Sequence, residues 1–219
     1  MAVIFESREA AARKLATALD LYAGSSPLVL AIPRGGVPMG RVIADALQAE
    51  FDIVLVRKLG APDDPEVAVG AIDENGRAYV SAHAADCGAD PRYLEIEKRI
   101  QLSLLLQRRS IYTPTRASID PRGRAVIVVD DGLATGATMI AALDAIRARE
   151  PAKLICAVPV ASAQGLDQVQ PHADAVVCLL VPRQFDAVGH FYASFPQVDD
   201  TEVIACLSAP DDLPEVSRS

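Results

Sequence analysis

A chain of 219 residues, 51% hydrophobic and 23% charged, holds enough apolar material for one domain with a well-buried core. Its formal net charge of −8 and its pI near 4.9 exclude a generally basic surface for nucleic-acid backbones or anionic membranes, so any phosphate recognition must be local. No apolar run approaches the ~20 residues of a membrane helix, and MAVIFESREAAARKL lacks the charged, then apolar, then cleavable pattern of a secretory signal, so a cytoplasmic protein is expected. The four cysteines, Cys87, Cys156, Cys178 and Cys206, form no C-x-x-C pair and read as reduced structural thiols.

Glu6 to Tyr22 places Leu15, Ala18, Leu19 and Tyr22 at helical spacing behind Ser7 as an N-cap, which predicts an amphipathic lead-in helix. Leu28 to Ile32 is a short apolar strand that stops at PRGG, and Pro38 to Glu50 follows as a helix. Asp52 to Val56 reads as a second buried strand, with the turn-rich RKLGAPDDP after it. Val67 to Ile72 and Arg77 to Ser81 flank Asn75-Gly76, which predicts a hairpin. Pro91 to Ile111 reads as a long charged helix. Strand Ala125 to Val129, helix Thr138 to Arg149, strand Lys153 to Val160, a short helix near Leu166 to Gln170 and strand Ala175 to Val181 then alternate. Such units, with strands apolar on both faces, predict a doubly wound, mainly parallel sheet covered by helices on each side. DDTEVIACL predicts a last helix and SAPDDLPEVSRS a frayed tail. No repeat or low-complexity segment interrupts this single domain.

In such a sheet, ligands sit beyond the carboxyl ends of the strands where the strand order reverses. Two loops suit that edge. PRGGVPMG (Pro33 to Gly40) sets a cation and two unhindered glycines between a strand and a helix. In DDGLATGAT (Asp130 to Thr138), Thr135, Gly136, Ala137 and Thr138 can turn N–H groups and two hydroxyls toward one point at a helix N-terminus, a phosphate cradle. Asp130 and Asp131 would repel a phosphate and therefore suit vicinal hydroxyls, which a carboxylate accepts as strong hydrogen bonds. A ribose 5-phosphate spans both halves. A Walker loop would need a lysine and a dinucleotide fingerprint would need G-x-G-x-x-G; both are absent. A response-regulator acidic pocket would not need the small-residue loop. A turn that merely happens to be rich in glycine and threonine would not justify two adjacent carboxylates at the end of a buried strand.

VIVVDDGLATGATM closely resembles the 5-phosphoribosyl 1-diphosphate (PRPP) motif of type I phosphoribosyltransferases. IPRGGVPMG is similar to that family's pyrophosphate loop, and VRKLGAP resembles the segment after the second strand in adenine phosphoribosyltransferase-like members. The resemblances run in order from Val29 through Val181, and the nearest likeness is to phosphoribosyltransferases of unassigned substrate. The resemblance implies a core over about 24–182, a flap inserted over about 62–124 and a C-terminal hood over about 183–208, before the tail 209–219.

The implied activity is transfer of phosphoribose from PRPP to a nitrogenous base with release of pyrophosphate, in nucleotide metabolism. The alternative of another class is a PRPP- or nucleotide-sensing regulator without turnover. The partners are then small molecules, with no nucleic acid and no membrane, and a homodimer is the assembly compatible with this reading. Asp130 and Asp131 would hold the ribose hydroxyls, and the segment Gly132, Leu133, Ala134, Thr135, Gly136, Ala137 and Thr138 the 5-phosphate. Arg34, with the N–H groups of Gly35 and Gly36, would grip the pyrophosphate, and Lys58 could reach the same group. Mg²⁺ would be bound by substrate oxygens, with Asp130 or Asp131 acting at most indirectly. In hypoxanthine-guanine-type members a third aspartate stands where this chain has Ala134, as the adenine-type loop does, which puts a 6-oxopurine substrate in doubt. FDAVGHFYASF (Phe185 to Phe195) gathers three of the five phenylalanines and Tyr192; Phe185, Phe191 and Tyr192 are the candidates to stack on a base, and packing of a loop over the sheet edge is the alternative. His190, Glu95 and Glu97 read better as structural or solvated groups.

Overall fold

The computed structural model describes residues 4–65, 67–114 and 116–208; the tail expected to fray lies outside them. Eight strands and six α-helices are described, in the order α1 (Arg8–Ala18), β1 (Leu28–Ala31), α2 (Gly36–Leu47), β2 (Glu50–Ile53), β3 (Val56–Gly60), β4 (Ala68–Asp73), β5 (Ala78–Val80), α3 (Pro91–Tyr112), β6 (Ala125–Val129), α4 (Ala137–Arg147), β7 (Lys153–Val160), α5 (Ala163–Val169), β8 (Ala175–Leu180) and α6 (Asp200–Ser208). Five strands form one parallel sheet in the order β2-β1-β6-β7-β8, and β3-β4-β5 form a separate antiparallel sheet.

Alternation along the central strands explains the two-sided core. Val29, Ala31, Ile127, Val129, Ile155 and Ala157 point to the face covered by α1 and α2, where Leu15, Met39 and Ile43 are buried. Leu28, Leu30, Val126, Val128, Leu154, Cys156 and Val158 point to the opposite face, against Met139 and Leu143 of α4 and Val169 of α5. Period-two side-chain alternation makes both sets apolar, because each face of the sheet is roofed by helices. All four cysteines are free thiols.

Local rules account for most boundaries. Ser7 caps α1 by accepting from the Ala10 N–H at 3.2 Å. Asp90 caps α3 by accepting from the Tyr93 N–H, with Pro91 in the first turn. α2 begins at Gly36, two residues before the expected start, because Pro38 sits in a first turn whose N–H groups need no intrahelical acceptor. In the hairpin turn, the Asp73 carboxylate accepts from the N–H groups of Asn75 and Arg77, and Gly76 takes φ 78°.

One expectation needs correction. Arg57 to Gly60, read as part of a turn-rich loop, is strand β3, and the preceding strand ends at Ile53 instead of running to Val56. β3 pairs antiparallel with β4, so the hairpin becomes a three-stranded sheet, and Leu59 is fully buried beneath it. Charged Arg57 and Lys58 hide this strand from a hydrophobic-pattern reading because they face solvent.

This small sheet is tied to the core by a buried ionic node. Asp52, at the end of β2 and 0% exposed, accepts from Arg109 of α3 at 2.8 Å, from Arg116 at 3.2 Å and from the N–H groups of Ile53 and Ile119. Arg109 also pairs with Glu74 in the β4–β5 turn. Removing one member of a buried pair leaves an uncompensated charge. Asp52→Ala is therefore expected to lower the free energy of unfolding by about 3–5 kcal/mol in urea titration; a loss under about 1 kcal/mol, the value of an exposed pair, would contradict the role given to this node.

Candidate active site

The strand order places β1 beside β6, with β2 beyond one and β7 beyond the other, so connections leave the sheet in opposite directions at this point. The loops after β1 and β6 face each other across the resulting crevice. They approach closely. The Ile32 N–H donates to the Val129 carbonyl at 2.9 Å. A Cβ on Gly36 would lie 2.6 Å from that carbonyl oxygen, and a Cβ on Gly35 would lie 2.0 Å from Oδ2 of Asp131. Both positions therefore exclude a side chain. The peptide between Pro33 and Arg34 is cis.

The Asp130–Thr138 loop is held from below by the segment after β7. The Leu133 N–H donates to Val160 O, the Ser162 N–H donates to Leu133 O, and the Ser162 hydroxyl donates to Ala134 O at 2.5 Å. Gly136 takes φ 77°, and a Cβ there would lie 2.7 Å from Val169, so glycine is required twice over. The result is that Ala134, Thr135, Ala137 and Thr138 are exposed around the N-terminus of α4, while Leu133 and Gly136 are buried. The N-cap of this helix is Gly136, which has no side chain to offer its first N–H groups. Those donors, two hydroxyls and the positive end of the helix dipole suit an anion.

Asp130 and Asp131 lie side by side at the head of the loop. Asp130 accepts from the Asp131 N–H at 2.8 Å through Oδ1. Burial pushes the Asp130 carboxyl well above the ordinary carboxylate range, and the neighbouring Asp131 charge pushes it further. Burial also raises Asp131, against the opposing pull of an arginine that pairs with it.

That arginine is Arg8, from the first turn of α1. Its Nε and Nη2 both donate to Asp131 Oδ2, at 3.0 and 2.8 Å, and its Nη1 donates to Pro196 O at 2.6 Å. Its guanidinium lies 3.7 Å from the ring centroid of Phe195. Backbone pairing delivers it there: Ile4 and Phe5 donate to Phe191 O, while Ala193 and Ser194 donate to Phe5 O and Glu6 O. Sequence reasoning took α1 only as a packing helix. The available signal was a cation in the first helical turn, where the dipole disfavours positive charge and a compensating partner is to be expected.

These elements line an open, cleft-like cavity of about 330 Å³ bounded by Arg8, Arg34, Gly35, Asp131 and the segment Phe195–Val198. Arg34 is partly exposed, with Asp200 of α6 at 3.7 Å; Asp200 also accepts from the Tyr112 hydroxyl at 2.7 Å. Burial, with Asp200 beside it, pushes that phenol up to about 12. The Gly36 N–H is already committed to Ile32 O. Lys58 is exposed on β3 and does not line the cavity. Gly132 lets the C-terminal segment close over the loop, since a Cβ there would meet Val188 at 2.6 Å.

The aromatic residues singled out for base stacking sit mostly within the packing of that segment. Phe191 and Tyr192 are buried, Phe185 stacks on Phe191 at 5.5 Å, and the Tyr192 hydroxyl donates to Asp131 O at 2.7 Å. Phe195, the last residue of the aromatic segment and not one of the three taken as stacking candidates, is the ring that reaches the cavity wall.

Asp130→Asn separates the cost of the buried charge from its use. The folded carboxyl is raised above the ~3.9 of an unfolded aspartate, so the unfolded state binds fewer protons between the two values and wild-type stability falls as pH rises through that window. Asparagine keeps the acceptor for the Asp131 N–H and cannot ionise. The variant is expected to melt above wild type at pH 7.5 and to lose that advantage below pH ~4; a lower melting temperature at pH 7.5 would count against the account.

A model of the phosphoribosyl transferase domain matches residues 1–192. Two proteins of Mycobacterium tuberculosis, from strains CDC 1551 and H37Rv, bear the name phosphoribosyl transferase and are 40% identical over 205 residues, 93% of this chain. The chain spans 46% of the length of these curated relatives. The crystal structure of TT1426 from Thermus thermophilus is similar at a TM-score of 0.87 and 42% identity, covering 93% of this chain and 97% of that one.

Proposed function

The chain belongs to the phosphoribosyl transferase domain family, and on that premise we propose that it transfers phosphoribose from PRPP to a nitrogenous acceptor, releasing pyrophosphate. One observation carries the reading: a single loop sets two carboxylates beside an uncapped helix N-terminus, opposite a glycine-arginine loop on the neighbouring strand. PRPP has that charge pattern, a 5-phosphate at one end, vicinal hydroxyls in the middle and a diphosphate at the other end.

Thr135, Thr138 and the first N–H groups of α4 bind the 5-phosphate. Asp130 and Asp131 accept from the ribose hydroxyls, which fixes the anomeric carbon over the crevice. Arg34 and the Gly35 N–H take the pyrophosphate; Gly36 shapes the turn, since its own N–H is in use. The bond from the anomeric carbon to the diphosphate oxygen breaks with its electron pair leaving on pyrophosphate, as the acceptor nitrogen's lone pair forms the new bond and the acceptor gives up its N–H proton to solvent. Catalysis then consists of alignment and of neutralising charge on the leaving group as it develops. The family's magnesium ion fits this donor set as one held mainly by the ligand. Among the described residues no three His, Cys, Asp or Glu side chains converge on a metal position; Asp130 and Asp131 would be the carboxylates beside such an ion, acting at most indirectly. When present it supplies charge neutralisation at the diphosphate.

The test is pyrophosphate release from PRPP and Mg²⁺ across a panel of nucleobases, with PRPP affinity measured in parallel. Asp131→Asn and Thr138→Val are each expected to weaken PRPP binding by about ten- to a hundredfold, the loss of a hydrogen bond to a charged group. Unchanged affinity in both would refute this placement of the donor, and tight binding with no turnover on any base would make the cradle a sensor.

A further inference from the structure

Arg8 is a charged side chain in the cavity wall for which the loops that define the donor site give no account. It comes from the other end of the chain. It is 9% exposed, and every contact it makes is directional: two donations to one carboxylate oxygen, one to a backbone carbonyl, and a face on an aromatic ring. We propose that Arg8 is a positioning residue for the donor: it pins Oδ2 of the Asp131 carboxylate and so leaves Oδ1 to accept from a ribose hydroxyl. This rests on the PRPP reading above.

The geometry supports positioning more than direct ligand contact. Both donors that Arg8 aims at Asp131 converge on Oδ2, and Oδ1 accepts no hydrogen bond from the described residues. The third arm is anchored to Pro196 O, so three of the five guanidinium N–H donors, the Nε/Nη2 fork included, are committed to the protein. A guanidinium held in this way fixes the rotamer of its partner as well as its charge. Gly35 completes the arrangement from the other side, because only a residue without a side chain tolerates Asp131 Oδ2 where it lies.

The pairing also offsets a cost the site imposes on itself. Two adjacent, partly buried carboxylates favour sharing a proton, and a protonated Asp131 would donate where the ribose hydroxyl needs an acceptor. The charged and titratable groups facing Asp131 are Arg8 from α1, Asp130 from its own loop, Arg34 from the loop after β1 and Tyr192 from the C-terminal segment. Among these Arg8 is the cation in hydrogen-bonded contact. Removing its charge should raise the acid limb of donor binding, and that limb belongs to the aspartate pair as a unit.

The experiment is calorimetric PRPP binding from pH 5 to 8 for wild type, Arg8→Met and Arg8→Lys, with melting temperatures recorded for each. Methionine keeps most of the apolar stem and removes the charge. Its acid limb is expected to move up by about one to three pH units, with affinity at pH 8 reduced much less than at pH 6. Lysine, which keeps the charge but lacks the fork, should restore part of the shift. A role limited to packing would lower affinity by the same factor at every pH. That result, or an unmoved acid limb in a folded Arg8→Met protein, overturns the inference. Should Arg8→Met not fold, the comparison passes to Arg8→Lys, read by the ¹³C titration of the Asp131 carboxyl without ligand. A midpoint above that of wild type is expected, and an unchanged midpoint overturns the proposal. If wild type binds no PRPP at any pH, the donor assignment fails instead, and the carboxyl titration alone decides the role of Arg8.

Discussion

The parallel pairing of β1 with β6 is the constraint on which the site depends. Leu28 to Ala31 run in register with Val126 to Val129, so both strands end at the same height. The ladder continues one step beyond the strands, where the Ile32 N–H meets the Val129 carbonyl. At that separation the two loops cannot both carry side chains on their facing sides. Glycine at 35 and 36 resolves the conflict, and it does so on the loop that must also begin a helix at once. A cation-bearing turn and a paired-acid turn are thereby brought within reach of one small ligand by backbone geometry alone.

A second constraint comes from the two ends of the described chain. Residues 4–6 hydrogen-bond to 191–194 around the single parallel bridge Phe5–Tyr192, and this pairing ends where Ser7 caps α1. Arg8 therefore enters at a fixed height, beneath Phe195 and against Asp131. A cation in the first turn of a helix works against the dipole by an amount on the order of 0.3–1 kcal/mol. A fork-shaped contact to a partly buried carboxylate offsets it, so the local penalty is intelligible only when the tertiary partner is counted. The C-terminal segment thus helps to line the cleft beside Asp131 as well as packing over the loop.

How much of this was legible in the sequence follows from how local each feature is. Strands β6 and β7 were bounded correctly because an unbroken apolar run buried on both faces carries its own limits. The Asp130–Thr138 loop was legible as a strand-to-helix turn because its glycines, threonines and aspartates are contiguous, and the hairpin because Asn75-Gly76 is a local turn signal. Strand β3 was missed since Arg57 and Lys58 face solvent and only the pairing with β4 defines it. Asp52 looked like the polar start of a strand; its partners Arg109 and Arg116 lie some sixty residues away in sequence. Arg8 was silent for the same reason, and so was the contact it makes with Phe195. Each is given meaning by a neighbour far along the chain, and no periodicity records that.

The same distinction explains why the donor is easier to name than the acceptor. The groups assigned to PRPP sit on two continuous loops whose chemistry is written in order. The wall that an acceptor would meet is a composite: Phe195 to Val198 from the hood, Arg8 from α1, Asp131 from the loop after β6 and Arg34 from the loop after β1. Two guanidinium groups in one cavity suggest at first an anionic acceptor, but their charges are unequally committed. Arg8 is matched at 2.8 Å by Asp131, whereas among the described residues Arg34 has Asp200 at 3.7 Å as its ionic partner, in a partly exposed position where that pairing contributes little. The cation open to an incoming anion therefore lies at the Arg34 end of the cavity, where a diphosphate leaving group is expected. The side beneath Phe195 is neutralised and lined by a ring, Pro196 and Val198, a surface suited to a flat, weakly charged acceptor.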